Sequence, residues 1–196
     1  MKRDDFSSAD LVYAHDVPSV GRFTLRPLSP AQDLALLHQW LSSEHAAFWG
    51  MRHYTPAQVA GYFEQVAASA HVQALIGHCD DQPAFLLETY DPRRDPVSAC
   101  YPAAAGDCGM HFLTAPPTRP VHGFTRAVMR TIQAWLFSDP RVSRIVVEPA
   151  IANQKIHPIN LAAGFVYQRQ IDLPNKRAWL AFCTREDLAA REESLS

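Results

Sequence analysis

Residues 108–148 read CGMHFLTAPPTRPVHGFTRAVMRTIQAWLFSDPRVSRIVVE, and this run decides the fold class. Cys108 to Thr114 reads as a strand, with Gly109, His111 and Leu113 on one face and Cys108, Met110 and Phe112 on the other. Ala115 to His122 holds three prolines and reads as a loop. A helix then begins near Gly123 and ends by Ser138, with Phe124, Ala127, Val128, Thr131, Ile132, Trp135 and Leu136 on one stripe. Asp139-Pro140 stops it, and Arg144 to Glu148 (RIVVE) is a short apolar strand of the kind buried on both faces. Strand, long helix and strand in that order place α and β elements in one mixed architecture.

Outward from this run the pattern continues. Upstream, Arg22 to Leu28 alternates as a strand, and Ser29-Pro30-Ala31-Gln32 offers an N-cap, a Pro at N1 and a Gln at N3 for a helix reaching about Ser43. Thr55-Pro56-Ala57-Gln58 repeats that start signal. Between the two helices, Glu44 to Tyr54 (EHAAFWGMRHY) is aromatic and His-rich, too polar for a core segment. Strands follow at Val72 to Gly77 and Pro83 to Tyr90 around a turn at Asp80-Asp81, then a loop from Asp91 to Gly106. Downstream, Asn153 to Ala163 is helical, short or kinked because of Pro158, and Gly164 is its C-cap. Strands at Val166 to Leu173 and Arg177 to Cys183 close the chain as a hairpin. The reading is α/β (α+β): a central mixed, largely antiparallel sheet flanked by helices, with residues 1–20 as an extension, 21–186 as one domain and 187–196 as a tail.

Composition bounds the function. The 196 residues carry 18 Lys+Arg against 20 Asp+Glu, a net charge of -2, so no basic field advertises nucleic acid. No run approaches the ~18 apolar residues of a membrane span, and MKRDDFSSADLVYAHD lacks the apolar core of a secretory signal. Four scattered cysteines without a CxxC pair suit reduced thiols, and no metal site is expected. A cytoplasmic location is the expectation.

The element order, ending in the helix that closes on Gly164-Phe165, resembles the Gcn5-related N-acetyltransferase (GNAT) superfamily. GMHFLTAPP, HGF, WLFSDPRVSRIVVEP, NQK, AAGF and LPNKRA, in that order and with the His45–Met51 segment before them, resemble its siderophore-biosynthesis branch of hydroxylysine acetyltransferases and mycobactin lysine acyltransferases. The resemblance implies transfer of an acyl group from acyl-CoA, acetyl-CoA or succinyl-CoA, to a small-molecule amine or hydroxylamine, giving a hydroxamate. A homodimer is also compatible with it.

The family binds the CoA pyrophosphate at the N-terminus of the long helix, where unsatisfied N–H groups and the helix dipole favour an anion. Its Arg/Gln-x-x-Gly-x-Gly/Ala fingerprint falls here on Thr118, Val121 and Gly123, so one of two glycines survives. The main chains of Val121, His122, Gly123, Phe124 and Thr125 are the expected donors, with Arg119 as a phosphate contact. Phe112, Leu113 and Thr114 would bond the pantetheine amides through their main chains, and Asn153 retains the branch's Asn. His111 occupies the position of the branch's proposed catalytic His, and an imidazole with an unperturbed pKa of about 6.5 suits a base at neutral pH. The branch's Asp position is Ala150 and its Arg position is Ala152, which leaves His111 alone or with Glu148 or Asp107 nearby, Glu148 being taken as the orienting partner. The position of the family's tyrosine acid is Asn160.

The resemblance also places the Glu44–Tyr54 segment at the acceptor, with His45 and Trp49 as contacts and Glu88 as partner for a distal ammonium. A succinyl donor would need a cation such as Arg52 or Arg119. Two other readings stay open: an aminoglycoside or other small-amine acetyltransferase, and a catalytically degenerate acyl-CoA-binding protein suggested by Val121, Ala150, Ala152 and Asn160.

Overall fold

The structure is a computed structural model that describes residues 11–117 and 121–193. Eight strands form one mixed sheet: β1 (Tyr13–Val17), β2 (Gly21–Pro27), β3 (Val72–Cys79), β4 (Gln82–Tyr90), β5 (Asp107–Thr114), β6 (Arg144–Val147), β7 (Val166–Leu173) and β8 (Lys176–Thr184). Their order is β1-β2-β3-β4-β5-β6-β8-β7. The helices are α1 (Pro30–Leu41), α2 (Pro56–Ala68), α3 (Phe124–Ser138), α4 (Ile156–Ala162) and α5 (Arg185–Glu193). Compared with the sequence reading, β1 and α5 are additions. β1 lies inside the stretch expected as an extension and pairs antiparallel with β2, Tyr13 opposite Leu25; α5 enters the expected tail.

The chain divides into two compact units. The first holds residues up to Ser69, Gln73–Leu87 and Phe112–His122. Its core is Phe23 and Leu25 of β2, Leu37, Trp40 and Leu41 of α1, and Val59, Phe63 and Val66 of α2. The α2 start signal forms a complete capping box: Gln58 N donates to Thr55 Oγ1 at 3.3 Å and Thr55 N to Gln58 Oε1 at 2.9 Å. At α1 the expected Ser29 cap makes no side-chain bond. Asp33, one turn in, accepts from Ser29 N at 2.8 Å and takes both guanidinium nitrogens of Arg26, at 2.6 and 2.8 Å. Asp80 and Asp81 both have positive φ, as a tight two-residue hairpin turn requires.

The second unit holds 70–72, Glu88–His111 and Gly123–Ser196. Here β5 and β6 run parallel, joined by the α3 crossover, because a parallel pair needs a long connection. Ile145, Val146 and Val147 are buried, as the continuous apolar strand predicts. β8 pairs antiparallel with β6 and β7. Tyr90, Val97, Tyr101, Val146, Ile171, Ala178 and Leu180 form one core cluster. The 91–106 loop contains two short 3₁₀ turns, each started by an aspartate that caps its own backbone. The helix interrupted by Pro158 is confined to seven residues, Ile156–Ala162.

The Arg26–Asp33 pair is almost wholly buried, with side chains 8% and 5% exposed. Removing one partner strands the other charge, so Asp33→Ala is expected to lower unfolding free energy by about 3–5 kcal/mol in urea titration. The double change Arg26→Met with Asp33→Leu should recover most of that loss. Equal stability of Asp33→Ala and the parent would contradict this account of α1.

Candidate active site

The site is built by a period of two along four segments of the second unit. Glu88 and Tyr90 alternate on β4, Gly109 and His111 on β5, Val146 and Glu148 along and just past β6, and Lys176 and Ala178 on β8. Pairing of β5 with β6 runs from Asp107↔Arg144 to Gly109↔Val146. Past that rung, β5 continues to Thr114, while the chain after β6 keeps to β8: Trp179 N donates to Pro149 O at 3.0 Å and Ile151 N to Arg177 O at 3.1 Å. His111 and Glu148 stand at the point where the ladder ends.

Glu148 is 3% exposed and carries three partners. His111 Nε2 donates to Oε1 in a short contact. The Tyr90 hydroxyl donates to Oε2 at 2.8 Å, and Lys176 Nζ lies 3.5 Å from Oε1. Burial pushes the Glu148 carboxyl up, but the charge and hydrogen bond of His111, the charge of Lys176 and the Tyr90 bond together overcome it and hold the group at about 2. Glu148 is therefore an anion at any working pH. For His111, burial disfavours the charged ring, yet the Glu148 charge and hydrogen bond outweigh burial and the opposing Lys176 charge, with Glu88 adding to them. Its pKa is raised above 6.5. Because Nε2 gives its proton to Glu148, the basic lone pair of neutral His111 is on Nδ1. Burial first, then Glu148, lifts the Tyr90 phenol well above its usual range, so Tyr90 stays a donor.

Gly109 is what lets Tyr90 reach Glu148. A Cβ at Gly109 would stand 2.1 Å from the Tyr90 ring, and the same ring lies 5.1 Å from the His111 ring, centroid to centroid. Of the partners the sequence leaves open for His111, Glu148 makes the contact, while Asp107 is bonded to Tyr101 and Arg144. The sequence reading missed Tyr90, Gly109 and Lys176. The signal for the first two is the shared alternation of β4 and β5; for Lys176 it is the LPNKRA stretch, which places that residue at the first rung of β8, opposite Leu173.

The other expected residues fall as follows. Glu88 is buried beside His111, at 4% exposure. His45, on a 3₁₀ helix over Glu44–Trp49, shares a hydrogen bond through Nε2 with Thr114 Oγ1 at 2.9 Å, within the first unit. Trp49 is half-buried at the end of that 3₁₀ helix. Val121 and His122 are exposed, Gly123 caps α3 with φ 78° and no side-chain bond, and Phe124 and Thr125 open the helix. Gly123 is required by that positive φ rather than by crowding, since a Cβ there meets nothing within 4 Å. Asn153 sits in the turn before α4, its N–H on Ala150 O at 2.9 Å. Phe112, Leu113 and Thr114 are the last residues of β5. Arg119 lies outside the described residues. Arg52 is paired with Glu44 at 2.9 Å. Among the described residues no group of three His, Cys, Asp or Glu side chains is placed to hold a metal ion, and no helix is long and apolar enough to cross a membrane.

Gly109→Ala is expected to force the Tyr90 ring off Glu148, lowering stability by about 1–3 kcal/mol through overpacking and shifting the tyrosine ultraviolet spectrum. Adding Tyr90→Phe to Gly109→Ala should restore none of this, because the ring and not the hydroxyl meets the new methyl. A Gly109→Ala protein of parent stability would contradict the packing described.

The geometry agrees with comparisons to known proteins. Residues 29–173 match the model of the acetyltransferase (GNAT) domain. The chain is 28% identical over 164 residues to an N-hydroxyputrescine acetyltransferase of Acinetobacter baumannii, covering 84% of this chain and 78% of that one. It is 27% identical over 177 residues to an N(6)-hydroxylysine O-acetyltransferase of Escherichia coli, covering 89% of this chain but 56% of the relative. The crystal structure of aminoglycoside acetyltransferase AAC(6')-Ib in complex with coenzyme A superposes with a TM-score of 0.76 at 26% identity, over 86% of this chain and 98% of that one. The sheet order, the α3 crossover and the matched 29–173 span together show that this chain belongs to the GNAT family of acetyltransferases.

Proposed function

We propose that this protein transfers an acyl group from acetyl-CoA or succinyl-CoA to the nitrogen of an N-hydroxylated diamine or hydroxylysine, making a hydroxamate for a siderophore. The observation that carries the reading is the His111–Glu148 pair at the end of the β5–β6 ladder. The relatives named for N-hydroxyputrescine and N(6)-hydroxylysine supply the acceptor class.

Acyl-CoA is the co-substrate. The uncapped start of α3 fits its phosphates: Gly123 offers no side chain to occupy the first-turn N–H groups, and the helix is long enough to present a positive end. Gly123, Phe124 and Thr125 are the main-chain contacts we assign there, with Val121 and His122 just before them in sequence; Asn153 is assigned to the cofactor as well, and Phe112, Leu113 and Thr114 to the pantetheine amides. The acceptor's aliphatic chain is assigned to Trp49, with His45 and Glu88 as its polar contacts.

The reaction needs one proton moved. The hydroxylamine nitrogen attacks the thioester carbon, forming C–N, and its N–H proton passes to His111 Nδ1. Collapse breaks C–S, and the sulfur leaves as thiolate, which takes that proton from the imidazolium. Glu148 stays an anion throughout: it holds the ring through Nε2 and stabilises the imidazolium formed in between. Tyr90 and Lys176 in turn fix Glu148. This assigns the orienting role to Glu148, where the branch's Asp position is Ala150.

Free-thiol release should be measured for acetyl-CoA and succinyl-CoA against N-hydroxyputrescine, N-hydroxycadaverine and N6-hydroxylysine. One donor and acceptor pair is expected to turn over, and His111→Ala is expected to reduce kcat by about 10²–10⁴-fold. Since the neutral ring is the base and its pKa is raised, kcat/KM should fall on the acid side with a midpoint above 6.5. No release with any pair while CoA still binds would overturn the reading in favour of a binding protein.

A further inference from the structure

Lys176 has no part in the proton transfer, yet it shares one carboxylate oxygen with the base. Among the described residues, the titratable groups that face His111 include Glu88 and Tyr90 from β4, Glu148 after β6 and Lys176 at the start of β8. Glu148 Oε1 receives both His111 Nε2 and Lys176 Nζ, while Oε2 receives Tyr90. The anion bonded to the base is thus also paired with the Lys176 side chain, only 26% exposed and therefore poorly screened, while Glu88 is a second carboxylate facing the ring.

We propose that Lys176, through its ion pair with Glu148, makes this site select acceptors whose reacting nitrogen is uncharged and turns away alkylammonium groups. This rests on the acyl-transfer reading above and adds to it the basis of acceptor choice. An alkyl amine of lysine type holds its proton to a pKa of about 10.4, so it arrives as a cation at neutral pH. It must lose one proton before it attacks and a second as C–N forms. His111 accepts only one, and Lys176 beside it disfavours both a second cation and the imidazolium. A hydroxylamine nitrogen, its basicity reduced by the attached oxygen, arrives neutral and has one proton to give. The arrangement is a repulsive element against the wrong substrate rather than an extra contact with the right one. Lys176 is in this sense a specificity-determining residue and not a catalytic one.

The test compares kcat/KM for N-hydroxyputrescine and putrescine with the same acyl-CoA at one neutral pH, in the parent, Lys176→Met and Lys176→Arg. The parent is expected to favour the hydroxylated acceptor. Lys176→Met should reduce that preference by about tenfold, one pKa unit's worth, while Lys176→Arg keeps the cation and the preference. The acid limb of the N-hydroxyputrescine profile should also move to higher pH in Lys176→Met, a change that a purely structural role would not produce. An unchanged ratio with an unmoved limb, or a parent that prefers putrescine, overturns this inference and leaves acyl transfer standing. A parent that turns over neither acceptor removes the acyl-transfer reading, and this inference with it.

Discussion

A buried carboxylate must be compensated, and the compensation of Glu148 organises the second unit of this protein. Taken from water without partners, such an anion would instead pick up a proton. Three donors prevent that: a ring nitrogen of His111, the Tyr90 hydroxyl and the Lys176 ammonium. Each comes from a different strand, so the charge fixes the register of β4, β5 and β8 around the end of β6. Gly109 belongs to the same device, since any side chain there would occupy the space of the Tyr90 ring. The chemistry follows from the electrostatics: a permanent anion on Nε2 leaves a basic Nδ1 and steadies the ring when it charges.

The second consequence is a division of labour around that anion. Tyr90 is a neutral donor held far from its ionisation range, so it adds hydrogen bonding without adding charge. His111 supplies the charge that varies, and Lys176 is ion-paired with Glu148 beside it. Glu148 and Lys176 act on the charge of His111 in opposite directions. A neutral side chain at position 176 would make His111 more basic, since the Lys176 charge opposes that of Glu148 at the ring.

Much of this was legible in the sequence, for identifiable reasons. Strong periodicity marked α3 and the strands on either side of it, and the Thr55–Gln58 signal became a capping box because its two side chains need only local backbone. The α1 start falls at Ser29-Pro30 as read, but the bond at the helix end comes from Asp33, which Arg26 holds there, rather than from the Ser29 hydroxyl. β1 was missed because YAHDV alternates only weakly and gains its strand from pairing with β2. In the site, His111 and Glu148 were legible as chemistry on neighbouring strands. Tyr90, Gly109 and Lys176 were not, because their roles are steric and electrostatic relations across strands that no local window contains. The motif departure at Ala150 pointed to a weakened pair, whereas Glu148, two residues earlier, makes the contact; Ala150 forms a bridge with Ala178 instead.

The account stands on the claim that Glu148 raises the basicity of His111 against its burial. The most direct measurement is an NMR titration of the His111 ring in the parent protein and in Glu148→Gln, both without substrate. The account predicts a parent midpoint above 6.5 and a midpoint below 6.5 in Glu148→Gln, where burial and Lys176 act with only Glu88 opposing them. A parent midpoint at or below 6.5, or one that Glu148→Gln leaves in place, would contradict it.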